Sequence, residues 1–81
     1  MLECNVHARE WVSSSACLKM VDKFTVNQDN AAKNILNLYD VHILPVLNPD
    51  GFEYSRTKSR SWRKNRSVIE GVKCRGNYHY N

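Results

Sequence analysis

The stretch that decides the fold is Leu2-Glu3-Cys4-Asn5-Val6-His7-Ala8-Arg9-Glu10. Up to Val6 its apolar residues occupy every second position, a pattern that predicts a short β-strand ending near His7. Beyond Val12 the apolar residues recur at helical spacing, so we expect an amphipathic helix over about residues 13–25. Three serines at residues 13–15 offer hydroxyls to the first-turn amides. Residues 7–10, three of which are polar, are therefore predicted to lie where a strand passes into a helix.

The next forty residues complete one unit of an α/β sheet. Apolar residues between 31 and 38 predict a second, shorter helix, and residues 41–47 form an apolar run that fits a strand buried on both faces. Pro45 within that run indicates an edge or irregular position. The order strand, helix, helix, strand matches one right-handed crossover of an α/β sheet. Residues 48–51 are predicted to form a turn, followed from Phe52 by a long basic loop.

Length and composition place the chain among small globular proteins. It has 81 residues, of which 42% are hydrophobic and 25% charged, enough for one small domain with a thin core. No apolar run approaches the roughly 20 residues that cross a bilayer. No signal peptide is visible at the start of the chain, which fits a cytosolic protein or a fragment whose N-terminus lies upstream.

The chain has three cysteines, Cys4, Cys17 and Cys74, with no CxxC spacing. An odd number argues against a complete disulfide framework, and unpaired thiols argue against a structural zinc site. Cys4 and Cys17 are therefore predicted to be small buried apolar residues. Cys74 lies in a polar, basic stretch and could form half of a disulfide with a partner outside this chain.

His7 and Glu10 form the first group of residues that could carry chemistry. Zinc accepts imidazole nitrogen and carboxylate oxygen, and a catalytic zinc takes three protein ligands and a water. Two such side chains, three residues apart at the end of a strand, can turn toward one point, and strand ends are where α/β proteins bind ligands. Taken alone, this spacing more often marks a surface histidine beside a glutamate that starts a helix.

A second group is the basic segment from Arg56 to Arg66, in which six of eleven residues are basic and one, Trp62, is aromatic. Up to residue 54 the chain has four basic and seven acidic residues, whereas from residue 55 it has eight basic residues and one acid. Nucleic-acid binding would place these charges on phosphates and stack a base on Trp62. In catalysis one guanidinium would face a developing oxyanion. A solvated basic loop is the third interpretation, and the segment alone does not choose among them.

Three segments together resemble successive motifs of one family, the carboxypeptidase A/B family of zinc metallopeptidases (peptidase family M14). The segments are His7-Ala8-Arg9-Glu10-Trp11-Val12-Ser13, Leu44-Pro45-Val46-Leu47-Asn48-Pro49-Asp50-Gly51-Phe52 and Trp62-Arg63-Lys64-Asn65-Arg66-Ser67. The resemblance runs in the family's order from Leu2 to about Gly76. It implies that residues 1–81 are a partial M14 catalytic domain, the N-terminal part of a mixed-sheet α/β/α carboxypeptidase fold.

The resemblance also implies roles for four residues. His7 and Glu10 match the family's first two ligands of a single Zn²⁺ ion. Arg9 matches a substrate-binding arginine. Arg63 matches the catalytic and substrate-binding arginine that polarises the scissile carbonyl and stabilises the oxyanion. Trp11 and Trp62 are expected to pack and hold these residues in place.

The chain departs from the family pattern at its end. The family continues after residues 74–76 into an Asn-Arg pair that grips the substrate's terminal carboxylate, and Tyr80 and Asn81, which stand there, cannot supply a bidentate cation. The family's third zinc ligand and its catalytic glutamate also fall beyond residue 81. We therefore expect this chain by itself to be an incomplete and inactive fragment.

The resemblance further implies peptide or protein C-termini as substrates, extracellular location, and no nucleic-acid or membrane partner. The competing hypothesis is a non-enzymatic basic module that binds nucleic acid or another acidic partner through the segment from Arg56 to Arg66.

Overall fold

The computed structural model describes residues 1–68 and 70; Cys74, Tyr80 and Asn81 lie outside them. The elements are β1 (Leu2–Glu3), α1 (Trp11–Thr25), α2 (Asn30–Leu38), β2 (Ile43–Leu44) and α3 (Pro49–Thr57). The strands pair in parallel, with Leu2 opposite Ile43 and Glu3 opposite Leu44. The predicted α/β order of strand, helix, helix and strand is confirmed. Because the pairing is parallel, the carboxyl ends of both strands meet at one edge of the sheet.

The two strands are shorter than residues 2–6 and 41–47, the ranges predicted. Backbone pairing continues past them, since the Cys4 N–H donates to the Leu44 carbonyl (3.0 Å) and the Leu47 N–H donates to the Cys4 carbonyl (2.9 Å). In a regular parallel ladder the two partners of one residue are two positions apart, whereas Leu44 and Leu47, the partners of Cys4, are three positions apart. Pro45 lies within the extra length and has no N–H to donate. The bulge at Pro45 therefore ends β2 early, and Ile43 and Leu44 are half-buried, not fully buried as predicted.

Helix α1 begins at Trp11, two residues before the predicted start, and has no side-chain cap. The prediction that the serines cap it is wrong. Instead the Ser13 hydroxyl donates to the Glu10 carbonyl (2.7 Å) and accepts from the Asn5 N–H (2.9 Å). Ser13 thus ties the start of α1 to the end of β1.

Helix α3 stands where a turn and a loop were predicted. Asn48 is its N-cap, and its Oδ1 accepts from the Gly51 N–H (3.0 Å). Pro49 occupies the first helical turn and Asp50 lies in the same turn, where proline and an acidic residue both favour a helix start. The sequence of residues 48–51 suits a turn and a helix start equally, and the helix forms. The basic loop therefore begins only after Thr57.

Cys4 and Cys17 form a disulfide, with their Cα atoms 6.4 Å apart. The prediction that they are unpaired is wrong, because an odd number of cysteines does not prevent two of the three from forming a disulfide. Cys17 is fully buried, as expected. The disulfide joins the end of β1 to the middle of α1, and the loop that it closes contains His7 and Glu10.

Little apolar surface is buried within the described residues. Their buried hydrophobic side chains are Ala8, Cys17 and Ala32, while many large ones are exposed. An open groove of about 280 Å³ between β1, α1 and α2 has Leu2, Phe24 and Ile35 on its walls. A two-stranded sheet with so small a core is marginally stable alone. In the part of the chain described here, no helix has the length and apolar character to cross a membrane.

Removing the disulfide tests its contribution to stability. Cross-linking residues 13 apart restricts the unfolded chain, so the Cys4→Ala/Cys17→Ala double variant should lose about 3 kcal/mol in free energy of unfolding. Urea denaturation measures the loss. Cys74→Ser is the matched control, and an equal loss in that variant would contradict the assigned pairing.

The capping carboxylate of α2 predicts a pH dependence. Hydrogen bonds from the Ala32 N–H and from Lys23 hold the pKa of Asp29 below its ordinary range. A lowered pKa stabilises the fold above the unfolded value, about 3.9, and that stabilisation is lost as pH falls through the folded value. Asp29→Asn keeps a cap acceptor but removes the charge.

We therefore expect the helicity of Asp29→Asn to change less than that of the wild type below about pH 4, measured by far-UV circular dichroism. Asp40→Asn, at an exposed aspartate after α2, is the control and should behave like the wild type. Identical acid transitions in Asp29→Asn and the wild type would refute a role for the Asp29 charge.

Candidate metal centre

His7 and Glu10 lie in the short loop between β1 and α1. A backbone hydrogen bond from the Glu10 N–H to the His7 carbonyl (3.1 Å) closes the loop into a turn. The two side chains leave that turn on the same side, with His7 Nδ1 3.0 Å from Glu10 Oε1. They are 26% and 51% exposed, so both reach solvent. The structure therefore brings together the two side chains that the spacing singled out.

The separation of these two atoms fits one zinc ion. Zinc lies about 2.0–2.2 Å from histidine nitrogen and carboxylate oxygen, and a tetrahedral angle then places the two donor atoms about 3.4 Å apart. The observed 3.0 Å is a direct hydrogen bond between the two side chains, so a bound ion would replace that bond and open the pair slightly. Within residues 1–68 and 70 there is no group of three histidine, cysteine or acidic side chains that could hold a metal. This loop thus offers two ligands of the right chemistry.

Ala8 links the loop to the basic segment. Its N–H donates to the Arg63 carbonyl (2.9 Å), and the residue is fully buried. Its carbonyl lies 3.3 Å from the hydroxyl of Ser55 on α3. The backbone of Arg63 is therefore held by Ala8, the residue that follows His7 in the loop. The Arg63 residue is half-buried.

Arg9 is exposed, and its backbone is held by a neighbouring cation. The Arg60 Nη1 donates to the Arg9 carbonyl (2.9 Å), and the Arg60 guanidinium lies 3.8 Å above the centre of the Trp11 ring. The Trp11 Nε1 in turn donates to the Ser55 hydroxyl (2.8 Å). Trp11 is half-buried and packs as expected, with its ring centre 5.9 Å from that of Phe52 on α3, and so holds the loop against that helix.

Some of the charged groups of the basic segment contact aromatic rings of the same chain. The Arg66 guanidinium lies 3.8 Å from the Tyr54 ring centre and 4.8 Å from that of Trp62. Tyr54 also meets the edge of Trp62, with ring centres 4.9 Å apart. Trp62 therefore packs as expected. An aromatic ring already engaged in this way is poorly placed to stack a nucleic-acid base, which disfavours the basic-module hypothesis.

Several residues that hold the site were not identified from sequence. Asn48 donates through Nδ2 to the Val6 carbonyl (3.1 Å), and its N–H donates to the Asn5 carbonyl (3.2 Å). Ser55 and Arg60 act through contacts with residues more than forty positions away. Only Asn48 had a local signal, the Asn-Pro-Asp pattern of a helix start.

Gly51 sets the distance between α3 and the segment that carries Arg63. A Cβ atom at this position would lie 2.6 Å from the Lys64 carbonyl oxygen and 2.5 Å from the Asn48 side chain. Both distances are too short for real contacts, so any larger residue forces one of these neighbours to move. Glycine is therefore required by close approach.

Comparison with known proteins finds similar sequences over almost the whole chain. The family model described as zinc carboxypeptidase matches residues 1–81. Carboxypeptidase B of Rattus norvegicus is 43% identical over 77 residues, which are 93% of this chain and 19% of that protein. The zinc carboxypeptidase of Simulium vittatum is 36% identical over 76 residues, 94% of this chain and 25% of that protein. The chain thus spans about a fifth to a quarter of the length of these relatives.

Solved structures give the same result. A crystal structure of thrombin activatable fibrinolysis inhibitor superposes with a TM-score of 0.82 at 41% identity, covering 90% of this chain and 19% of that one. The bovine protein of that name, in complex with tick carboxypeptidase inhibitor, superposes with a TM-score of 0.78 at 44% identity, covering 90% and 24%. The fold of the chain is that of the matched part of these proteins.

Replacing Gly51 by alanine tests the close approach. The added methyl group must displace the Lys64 carbonyl or the Asn48 cap, so Gly51→Ala should lower the free energy of unfolding by about 1–3 kcal/mol. Urea denaturation measures this. Glu53→Ala, at an exposed position of the same helix, is the control and should stay within about 0.5 kcal/mol of the wild type. An equally small effect of Gly51→Ala would contradict the predicted clash.

Proposed function

This chain belongs to the zinc carboxypeptidase family, and from that premise we propose that residues 1–81 form part of a catalytic domain that hydrolyses the C-terminal residues of peptides and proteins. The support is the family match over the whole chain together with relatives named carboxypeptidases at about 40% identity. The exposed apolar helix faces also fit a segment that packs against more protein.

The observation that carries this proposal is the 3.0 Å separation of His7 Nδ1 and Glu10 Oε1 at the mouth of β1. His7 and Glu10 would hold the zinc ion through these atoms. The chemistry that the ion supplies when bound is Lewis acidity toward the scissile carbonyl and acidification of a water molecule. The protein's own contribution here is to hold an imidazole and a carboxylate on one side of a hydrogen-bonded turn.

We assign to Arg63 the role of stabilising the oxyanion that develops on the substrate carbonyl. Its guanidinium is permanently charged and has several donors, so it suits an oxyanion better than the more strongly hydrated ammonium group of lysine. The hydrogen bond between the Ala8 N–H and the Arg63 carbonyl fixes its backbone beside the loop of residues 7–10, which we call the metal loop. Arg9, exposed in that loop, is assigned to binding an anionic group of the substrate.

Extracellular location is part of the same proposal. The disulfide between Cys4 and Cys17 supports it, because disulfides persist in oxidising compartments and are rare in the cytosol. For partners, one similar structure is a complex with tick carboxypeptidase inhibitor. We extend to this chain only the coarser role, recognition of a peptide or protein C-terminus.

The chain alone is proposed to bind zinc weakly and to lack turnover. Its described residues provide two ligands, whereas a catalytic zinc takes three protein ligands. A positioned base that accepts the water proton is also needed for hydrolysis. Metal binding and activity are therefore separable measurements on this chain.

Zinc titration against a chromophoric chelator tests the proposed ligands. We expect the wild-type chain to bind one Zn²⁺, and His7→Ala and Glu10→Gln each to weaken binding by more than about tenfold. Binding should weaken as pH is lowered, because the imidazole must be neutral to coordinate the metal. His42→Ala, at an exposed histidine beside β2, is the matched control and should leave the affinity unchanged.

Two results would count against these assignments. Zinc affinity that is the same in His7→Ala as in the wild type would remove the proposed metal centre. Release of C-terminal residues from a peptide by the purified chain, abolished by chelator, would show that the chain needs no further residues for activity.

A further inference from the structure

Asn5 combines deep burial with an unusual backbone conformation. It is 1% exposed, and its φ of 54° lies in the left-handed region. Residues other than glycine rarely adopt that backbone conformation, and asparagine is among the few that tolerate it. Glycine would adopt it at less steric cost. The position therefore needs a left-handed residue, but the backbone alone gives no reason for a side-chain amide.

The amide of Asn5 faces three backbone carbonyls of the metal loop. Its Nδ2 lies 3.3 Å from the His7 carbonyl oxygen, 3.3 Å from that of Ala8 and 3.4 Å from that of Glu10. The two amide hydrogens are thus shared among three acceptors that converge on one nitrogen. Two of these acceptors belong to the proposed zinc ligands, His7 and Glu10. The third belongs to Ala8, whose N–H donates to the Arg63 carbonyl.

The backbone of Asn5 is anchored on two further sides. Its N–H donates to the Ser13 hydroxyl (2.9 Å) at the start of α1, and its carbonyl accepts from the Asn48 N–H (3.2 Å) at the cap of α3. The amide nitrogen is therefore a fixed point to which the loop is drawn. Its Oδ1 is buried with no hydrogen-bond partner among the described residues, which costs free energy. A residue serving only to fill space would avoid that cost.

We infer that Asn5 is a positioning residue for the metal centre. By drawing the carbonyls of His7 and Glu10 to one donor, it sets the turn in which the two side chains leave on the same side with 3.0 Å between their ligand atoms. The disulfide closes the same loop from outside, whereas the amide acts within it. This role rests on the proposed function, because it assigns to Asn5 the geometry of a zinc pair.

Asn5→Gly tests the inference with little risk to folding, because glycine keeps the left-handed backbone and removes only the amide. Two readouts are measured on the whole chain. Amide hydrogen exchange at Glu10 and Ser13, whose N–H groups bond within the loop, should rise by about tenfold or more. Zinc affinity should fall about 10–100-fold, as when other residues that orient metal ligands are lost. The unfolding midpoint in urea should change little.

Asn5→Asp is the second variant. It keeps the size and the tolerance for the left-handed backbone, but it turns an oxygen toward three carbonyl oxygens, so its zinc affinity should fall at least as far as that of Asn5→Gly. Ser14→Ala is the matched control, since Ser14 is also a buried polar residue next to the loop and has no hydrogen-bond partner in the described structure. It should leave both exchange and zinc affinity unchanged.

The outcomes separate the inference from the proposed function. Wild-type loop exchange and wild-type zinc affinity in Asn5→Gly would overturn the positioning role. So would faster exchange that includes the Tyr39 amide at the end of α2, because that result indicates general destabilisation. If the wild type binds no zinc through His7, the proposed metal centre fails. Faster exchange confined to the loop in Asn5→Gly would still support the inference that the Asn5 amide controls the conformation of the loop.

Discussion

The parallel pairing of β1 with β2 is the constraint on which the rest of the structure depends. Parallel strands end at the same edge, so the loop after β1 and the helix start after β2 must lie side by side. That proximity lets Asn48 bond to the backbones of Val6 and Asn5. It also lets α3 present Ser55 to Ala8 and Trp11. Two strands of two residues each thus bring together segments more than forty positions apart.

Hydrogen bonds, more than apolar packing, determine the structure at this edge of the sheet. The buried hydrophobic residues of the described chain are small, whereas its buried polar residues, Asn5, Ser14, Asn48 and Ser55, include three that contact the metal loop or its neighbours. Buried hydrogen bonds are directional and specify geometry. A local polar framework of this kind can hold a ligand pair in place while the apolar faces of the helices remain available to other protein surface.

Local patterns in the sequence predicted the order of the elements and the proximity of the His7 and Glu10 side chains. Alternation before Val6 and helical spacing after Val12 depend on neighbouring residues only, so they survive without tertiary information. Prediction failed where one local pattern serves two structures, as at Asn48, or where an odd count concealed a pair, as with Cys4 and Cys17. The roles of Asn5, Ser55 and Arg60 could not be predicted, because each depends on partners brought close by folding.

The covalent ring between Cys4 and Cys17 has a consequence for damaged copies of the protein. Hydrolysis of the peptide bond after the exposed Arg9 would place His7 and Glu10 on separate polypeptides. The disulfide would keep those polypeptides joined, so the nicked molecule would migrate on a non-reducing gel like an intact one. A preparation can therefore look homogeneous by size while a fraction of its molecules has lost the continuous turn that holds His7 beside Glu10.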